Sequence, residues 1–207
     1  MIYPVRTPWL LKKIYPRCTW EGPGMGRRVY LTFDDGPEPE ATSFVLDELQ
    51  RHGQLATFFC IGKNVKRYPE TFQRIINEGH AIGNHTWQHL NGWRSTHDEY
   101  LADVRRTQEL IPSRLFRPPY GRATRRQMKS LIQPAFQMKI VMWTLLSGDF
   151  DPGISKERCL QQVIGNLREG DIVVFHDSQK AAQKLQYVLP KILDWMKEKG
   201  YRSEVLH

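Results

Sequence analysis

Val29-Tyr30-Leu31-Thr32-Phe33-Asp34-Asp35-Gly36-Pro37 runs β-forming apolar residues straight into two adjacent carboxylates, and Gly-Pro then turns the chain away. Such a stretch reads as a strand that delivers a pair of acids to the rim of an α/β fold. Neighbouring side chains at a strand end point in different directions, so Asp34 and Asp35 can do different work. One can bind a metal while the other acts on a water. Alone, Asp-Asp-Gly-Pro is also an ordinary turn, so its meaning depends on what the rest of the chain sets beside it.

Downstream, Pro39 suits the first turn of a helix in which Ala41, Val45 and Leu49 recur every four residues before Gly53 stops it. Leu55-Ala56-Thr57-Phe58-Phe59 is a second strand, with Gly62-Lys63-Asn64 as its loop. Pro69 opens a helix with Phe72, Ile75 and Ile76 on one face, and a short third strand over residues 80–84 leads into His85-Thr86-Trp87-Gln88-His89. Thr96-His97-Asp98-Glu99 has capping-box form and starts another helix. Leu115-Phe116 is a fourth strand before Arg117-Pro118-Pro119-Tyr120-Gly121, and a weaker helix follows over 122–132. Residues 139–145 make a fifth strand, Ser155 caps the next helix, and 171–175 form a sixth strand ending at His176-Asp177. A last helix over 181–199 precedes a closing seventh strand at 201–205.

Strand and helix alternate throughout, and the sixth strand is nearly all apolar, which predicts a parallel sheet covered by helices. An open doubly wound sheet and a closed barrel share this pattern. With 207 residues, one domain is expected: residues 28–207, with 1–27 as an N-terminal arm packed on it.

The net charge is +8. A basic chain can meet nucleic acid, an acidic polymer or an anionic membrane face, but the cations here are scattered, with short clusters only at Arg105-Arg106 and Arg125-Arg126. A solvated basic surface is the simpler reading, and no nucleic-acid partner is expected. Cys18, Cys60 and Cys159 have neither zinc-knuckle spacing nor an even count, so buried free thiols are expected. No window approaches the roughly 20 apolar residues needed to span a bilayer. Pro4, Arg6, Pro8, Lys12 and Lys13 interrupt any signal-peptide core. The expected location is therefore cytoplasmic, the inner membrane face included, and a monomer is expected. Residues 3–20 do mix Tyr3, Trp9, Leu10, Leu11 and Ile14 with Arg and Lys, a composition able to make peripheral membrane contact. An arm packed across the domain is the simpler account.

The unusual polar residues follow strand ends: Asp34 and Asp35 after the first, His85 and His89 after the third, Arg117 after the fourth, Asp149 after the fifth, His176 after the sixth. In a parallel α/β fold these ends share one face, where barrel active sites are built. His85 and His89 are four apart, so one helical turn would put both imidazoles on the same side. Two histidines and a carboxylate make a three-ligand set with open positions, suited to zinc and also to iron or cobalt. Such an ion lowers the pKa of water from 15.7 towards about 7. A second carboxylate can then take a proton and a histidine can give one to a leaving group. Arg117 can grip one carboxylate in bidentate fashion. Pro118-Pro119 stiffens a loop able to present the Tyr120 backbone N–H to an oxyanion, and Asp149 can orient His176. No Gly-x-Ser-x-Gly elbow, phosphate-cradling loop or dinucleotide fingerprint is present, and no cysteine sits in a nucleophile motif.

The ordered motifs Thr32-Phe33-Asp34-Asp35-Gly36-Pro37, His85-Thr86-Trp87-Gln88-His89, Arg117-Pro118-Pro119-Tyr120 and Val174-Phe175-His176 resemble the polysaccharide deacetylases, the NodB-homology domain of carbohydrate esterase family four. The resemblance spans about residues 28–205. It implies a distorted (β/α) barrel of seven strands and metal-dependent removal of N-acetyl, sometimes O-acetyl, groups from sugar polymers. By position, Asp34 resembles the general base, Asp35, His85 and His89 the metal ligands, and Arg117 the tether of the base. Tyr120, behind Pro119, resembles the oxyanion donor, His176 the general acid, and Asp149 the acid supporting that histidine. Leu146 stands where an earlier Asp is common and Phe150 where Trp often forms a groove wall. The expected function is zinc-type deacetylation, with cobalt or nickel as alternative metals, of an amino sugar in a peptidoglycan- or chitin-like envelope glycan. The alternatives are an O-acetyl esterase of the acetyl-xylan type and a basic binding module with a decayed site.

Overall fold

A computed structural model describes residues 3–207. A short helix α1 (Trp9–Ile14) precedes β1 (Arg28–Asp34), α2 (Pro39–Arg51), β2 (Thr57–Cys60), α3 (Gly62–Arg67), α4 (Pro69–Asn77) and β3 (Ala81–Asn84). The chain continues through α5 (His97–Gln108), β4 (Leu115–Phe116), a 3₁₀ turn at Pro119–Gly121, α6 (Arg125–Leu131), β5 (Lys139–Ile140) and β6 (Leu145–Leu146). It ends with α7 (Lys156–Ile164), β7 (Ile172–His176), α8 (Ala182–Lys199) and β8 (Arg202–Ser203).

The strands lie in the order β5-β4-β3-β2-β1-β7-β6, with β8 set beside β1. All these pairings are parallel. The sheet curls into a distorted (β/α) barrel with helices around it. β1 is the axis: every residue from Val29 to Asp34 is buried, as a parallel strand covered on both faces must be. The Phe33 ring stacks between Phe58 of β2 and Phe175 of β7, at 5.2 and 5.6 Å. The larger core joins these strands to Val45 and Leu49 of α2, Val163 of α7, and Leu185 and Leu189 of α8. A second cluster packs Tyr100 and Val104 of α5 against Phe116, Leu131 and Ile140.

The expected helix starts agree with the chemistry of their caps. Thr96 and Glu99 form a reciprocal capping box at α5, and Ser155 accepts the Arg158 N–H at α7. Four local expectations are corrected. The fifth strand does not run unbroken through 139–145: β5 pairs with β4 while β6 pairs with β7 at the opposite edge. Its middle is drawn out of the ladder because the Arg117 guanidinium donates to the Val141 and Met142 carbonyls, at 3.3 and 3.1 Å. Gly62-Lys63-Asn64 opens α3 instead of forming a loop, since the Ile61 carbonyl accepts from Asn64 and Val65 and Val65 is buried. Ile76 remains 38% exposed, so the apolar face of α4 is carried by Phe72 and Ile75. β8 pairs only with the first residues of β1, Arg28 and Val29, and does not close the barrel.

The segment before β1 edges the seam between β5 and β6. Thr7 N–H donates to the Thr144 carbonyl, Leu146 N–H to Val5, and Thr19 exchanges bonds with Ile140 and Met142. Among the described residues, no helix is long and apolar enough to cross a membrane. Cys60 and Cys159 are buried free thiols, while Cys18 is half-buried and free.

Candidate active site

β1 ends at Asp34, and its register partner on β7 is His176. The adjacent strand ends thus set an acid and an imidazole side by side. Asp34 is buried and its Oδ1 accepts from Arg117 Nη1 at 2.7 Å. Arg117 is itself fully buried, also donates to Thr32 Oγ1 at 2.7 Å, and lies 4.1 Å over the Phe59 ring. The grip on Asp34 is therefore through one oxygen and not bidentate: Nη1 also donates to Thr32, while Nε and Nη2 donate to the Val141 and Met142 carbonyls. A charge pair removed from water needs such additional hydrogen bonds.

Asp35 turns the other way. Its φ is +82°, a left-handed conformation that non-glycine residues seldom adopt, and the carboxylate faces His85 and His89. Asp35 Oδ1 lies 3.1 Å from His89 Nε2 and 3.7 Å from His85 Nε2. One ligand atom from each of the three residues falls within 4.8 Å of the others. The Asp35 carboxyl is held below its usual range: burial alone would raise it, but the imidazoles of His89, His176 and His85 around it outweigh that.

The imidazoles are aimed by their far nitrogens. His85 Nδ1 sits 2.8 Å from the Arg117 carbonyl oxygen. A carbonyl only accepts, so Nδ1 carries the proton and the Nε2 lone pair points at Asp35. Burial pushes this imidazole down to about 4, keeping it neutral. His89 Nδ1 is 3.1 Å from the Tyr120 hydroxyl. Asp35 Oδ1 is buried without a well-directed hydrogen bond, an uncommon state for a charged atom. A neutral imidazole with its lone pair free, a second imidazole and an orphaned carboxylate oxygen fit a divalent cation.

The two histidines do not converge through a helical turn, as their spacing suggests. Thr86 and His89 have φ of +66° and +60°, and the segment is an irregular loop. Asp103 on α5 accepts the Trp87 and Gln88 N–H groups at 2.6 and 3.2 Å, and Asn84 Oδ1 accepts Thr86 N–H at 2.9 Å. These contacts bend the loop until both Nε2 atoms meet Asp35.

Across the pocket, Asp149 holds His176 twice: Oδ1 faces the ring Nδ1 at 2.9 Å and Oδ2 accepts the backbone N–H at 2.7 Å. Ser147 Oγ donates to Asp149 at 2.9 Å. Burial would lower the imidazole, but the Asp149 carboxylate beside it prevails and raises its pKa to about 10. The Phe150 ring lies edge-on to His176 at 5.2 Å. Tyr120 closes the rim, 61% exposed, with φ +59° in the turn that follows buried Pro119.

Sequence reasoning missed Asp177. It is fully buried and accepts Gly36 N–H at 3.0 Å and Thr42 Oγ1–H at 2.6 Å. A side chain at position 36 would collide with its carboxylate. Asp177 thereby fixes the turn carrying Asp35. Asn84, Asp103 and Ser147 were also passed over, because polar residues holding backbone N–H groups leave no spacing signature.

The family model for polysaccharide deacetylases matches residues 21–138. A peptidoglycan-N-acetylglucosamine deacetylase of Bacillus cereus is 35% identical over 205 residues, covering 96% of this chain and 72% of the relative. A chitooligosaccharide deacetylase of Bradyrhizobium is 38% identical over 159 residues, 73% of this chain and 71% of that one. The crystal structure of a peptidoglycan N-acetylglucosamine deacetylase bound to an N-oxidanyl-benzamide superposes with a TM-score of 0.87 at 34% identity, covering 97% and 95% of the two chains.

Proposed function

The chain belongs to the polysaccharide deacetylase family, and on that basis we propose that it hydrolyses N-acetyl groups from the amino sugars of a peptidoglycan- or chitin-like envelope glycan. The observation that carries this reading is the orphaned, buried Asp35 oxygen facing two imidazoles, with Asp34 and His176 side by side on adjoining strands. Asp35, His85 and His89 would hold a divalent ion, zinc being favoured by two imidazoles and one carboxylate, with cobalt or nickel as substitutes. Such an ion supplies Lewis acidity to the acetamide carbonyl and to the attacking water.

Asp34 takes the proton of the water as it attacks the carbonyl carbon, and Arg117 keeps that carboxylate aimed. The Tyr120 backbone N–H, held by the turn after Pro119, donates to the oxygen on which negative charge develops. His176, kept protonated by Asp149, gives its proton to the sugar nitrogen as the C–N bond breaks. Acetate and a free amine result.

Acetate release from an N-acetylated chito-oligosaccharide and from acetylated xylan, each with zinc and after chelation, tests this reading. It expects release from the amide substrate, lost on chelation and restored by zinc. Release from the xylan ester alone, or chelator-resistant turnover, would overturn it.

A further inference from the structure

α1 stands apart from the pocket just described. It buries none of its residues, although Trp9, Leu10, Leu11 and Ile14 are 65, 54, 38 and 42% exposed. The chain on either side is fastened: Thr7 bonds to Trp143 and Thr144, and Thr19 to Ile140 and Met142. The apolar side chains are thus displayed by a segment anchored at both ends. Ile14 leads into an apolar cleft of about 220 Å³ whose walls include Tyr15, Met128 and Ile132 and whose edge carries Arg17, Arg125 and Lys129. All three of these cations are exposed. Lys13 lies 4.6 Å over the Trp9 ring, and Lys12 is paired with Glu21 at 2.6 Å.

We propose that this face docks on the surface of an anionic lipid bilayer. Trp9, Leu10, Leu11 and Ile14 enter the headgroup boundary, while Lys13, Arg17, Arg125 and Lys129 meet lipid phosphates. Tryptophan with aliphatic neighbours suits the membrane–water interface, and long cationic side chains lay their stems along apolar surface while the charge stays in water. Several exposed cations around one apolar face, on a chain of net charge +8, complement an anionic leaflet. A second copy of the chain is a poorer occupant. An isologous contact would set the same cations against one another. α6, whose Arg125, Met128 and Lys129 edge this cleft, follows directly on the turn that carries Tyr120. Docking would therefore hold the pocket's rim near the membrane. This inference concerns a different surface from the catalytic reading, and its readout is independent of turnover.

Co-sedimentation of the full chain with phosphatidylcholine vesicles, with and without phosphatidylglycerol, tests it. The chain should sediment with the phosphatidylglycerol vesicles and not with the neutral ones. Binding should fall about tenfold or more in L10D/I14D and separately in K13E/R17E, with circular dichroism and deacetylation of a soluble oligosaccharide unchanged. The charge-reversed pair keeps the apolar face intact, so it serves if the first pair perturbs folding. No binding to anionic vesicles, equal binding to both vesicle types, or binding unaltered in both variants would overturn the proposal. So would a dimer of the wild-type chain that both variants dissolve, which would give this face to a second copy.

Discussion

On one flank of the pocket His85 is buried against a backbone carbonyl and pushed down to about 4. On the other flank His176 is clasped by Asp149 and raised to about 10. The side chains are the same and burial acts on both in the same direction. What differs is the partner of Nδ1: a neutral carbonyl offsets little of the desolvation, whereas a carboxylate at 2.9 Å reverses it. The pocket therefore holds a neutral imidazole with a lone pair to offer and a cationic one with a proton to give. Under the proposed reading, the hydrogen-bond acceptor on each side is what suits one histidine to the acid role and the other to the ligand role.

Replacing the two histidines should have unlike consequences. His85→Ala should remove bound zinc and turnover together, because it deletes one of the three ligand atoms. His176→Ala should leave zinc in place and lower kcat by about 10²–10⁴. Metal analysis beside kcat reads both, and zinc lost equally from the two variants would erase the distinction between the flanks.

A gentler change tests the cause of the His176 shift. Asp149→Asn keeps an acceptor but removes the charge. With the carboxylate present, the folded-state pKa lies above the ordinary value, so the acid stays protonated through neutrality and loses its proton only as the pH approaches about 10. In the variant the alkaline limb of kcat should fall towards about 6.5, so activity at pH 8 should drop more than at pH 6. An unmoved alkaline limb would show that Asp149 does not set the proton on His176.

The smallest effect is expected on the opposite flank. Tyr120→Phe deletes the hydroxyl near His89 Nδ1 but keeps the backbone N–H. Zinc affinity should weaken about tenfold, as for other partners of metal-binding histidines, with kcat at saturating zinc nearly unchanged. A large loss of kcat with affinity intact would move the hydroxyl into the reaction itself.

The order of strands and the gathering of acids and histidines at their ends were legible because short, nearly continuous apolar runs, separated by helical patterns, stop at polar residues. Loop conformation was not. His85 and His89 carry helical spacing, yet they converge because Asp103, from α5, and Asn84, next to His85, take the N–H groups between them. The fifth strand looked continuous because its residues are apolar throughout. It breaks because Arg117, distant in sequence, claims two of its carbonyls. Asp177, next to His176, was hidden for a related reason. A buried acceptor of a turn's N–H and a threonine hydroxyl looks, in sequence, like any aspartate after a strand. Side-chain-to-backbone bonds decided these places, most of them between residues far apart in sequence, and bonds of that kind leave no local pattern.

The adjacent acids at the end of β1 give the most direct test of the whole account. Zinc stoichiometry and turnover should be measured together on Asp34→Asn and Asp35→Asn. The former should retain one zinc per chain with acetate release abolished, and the latter should lose both. Wild-type turnover in Asp34→Asn, or a full complement of zinc in Asp35→Asn, would contradict the assignment of one acid to the water and the other to the metal.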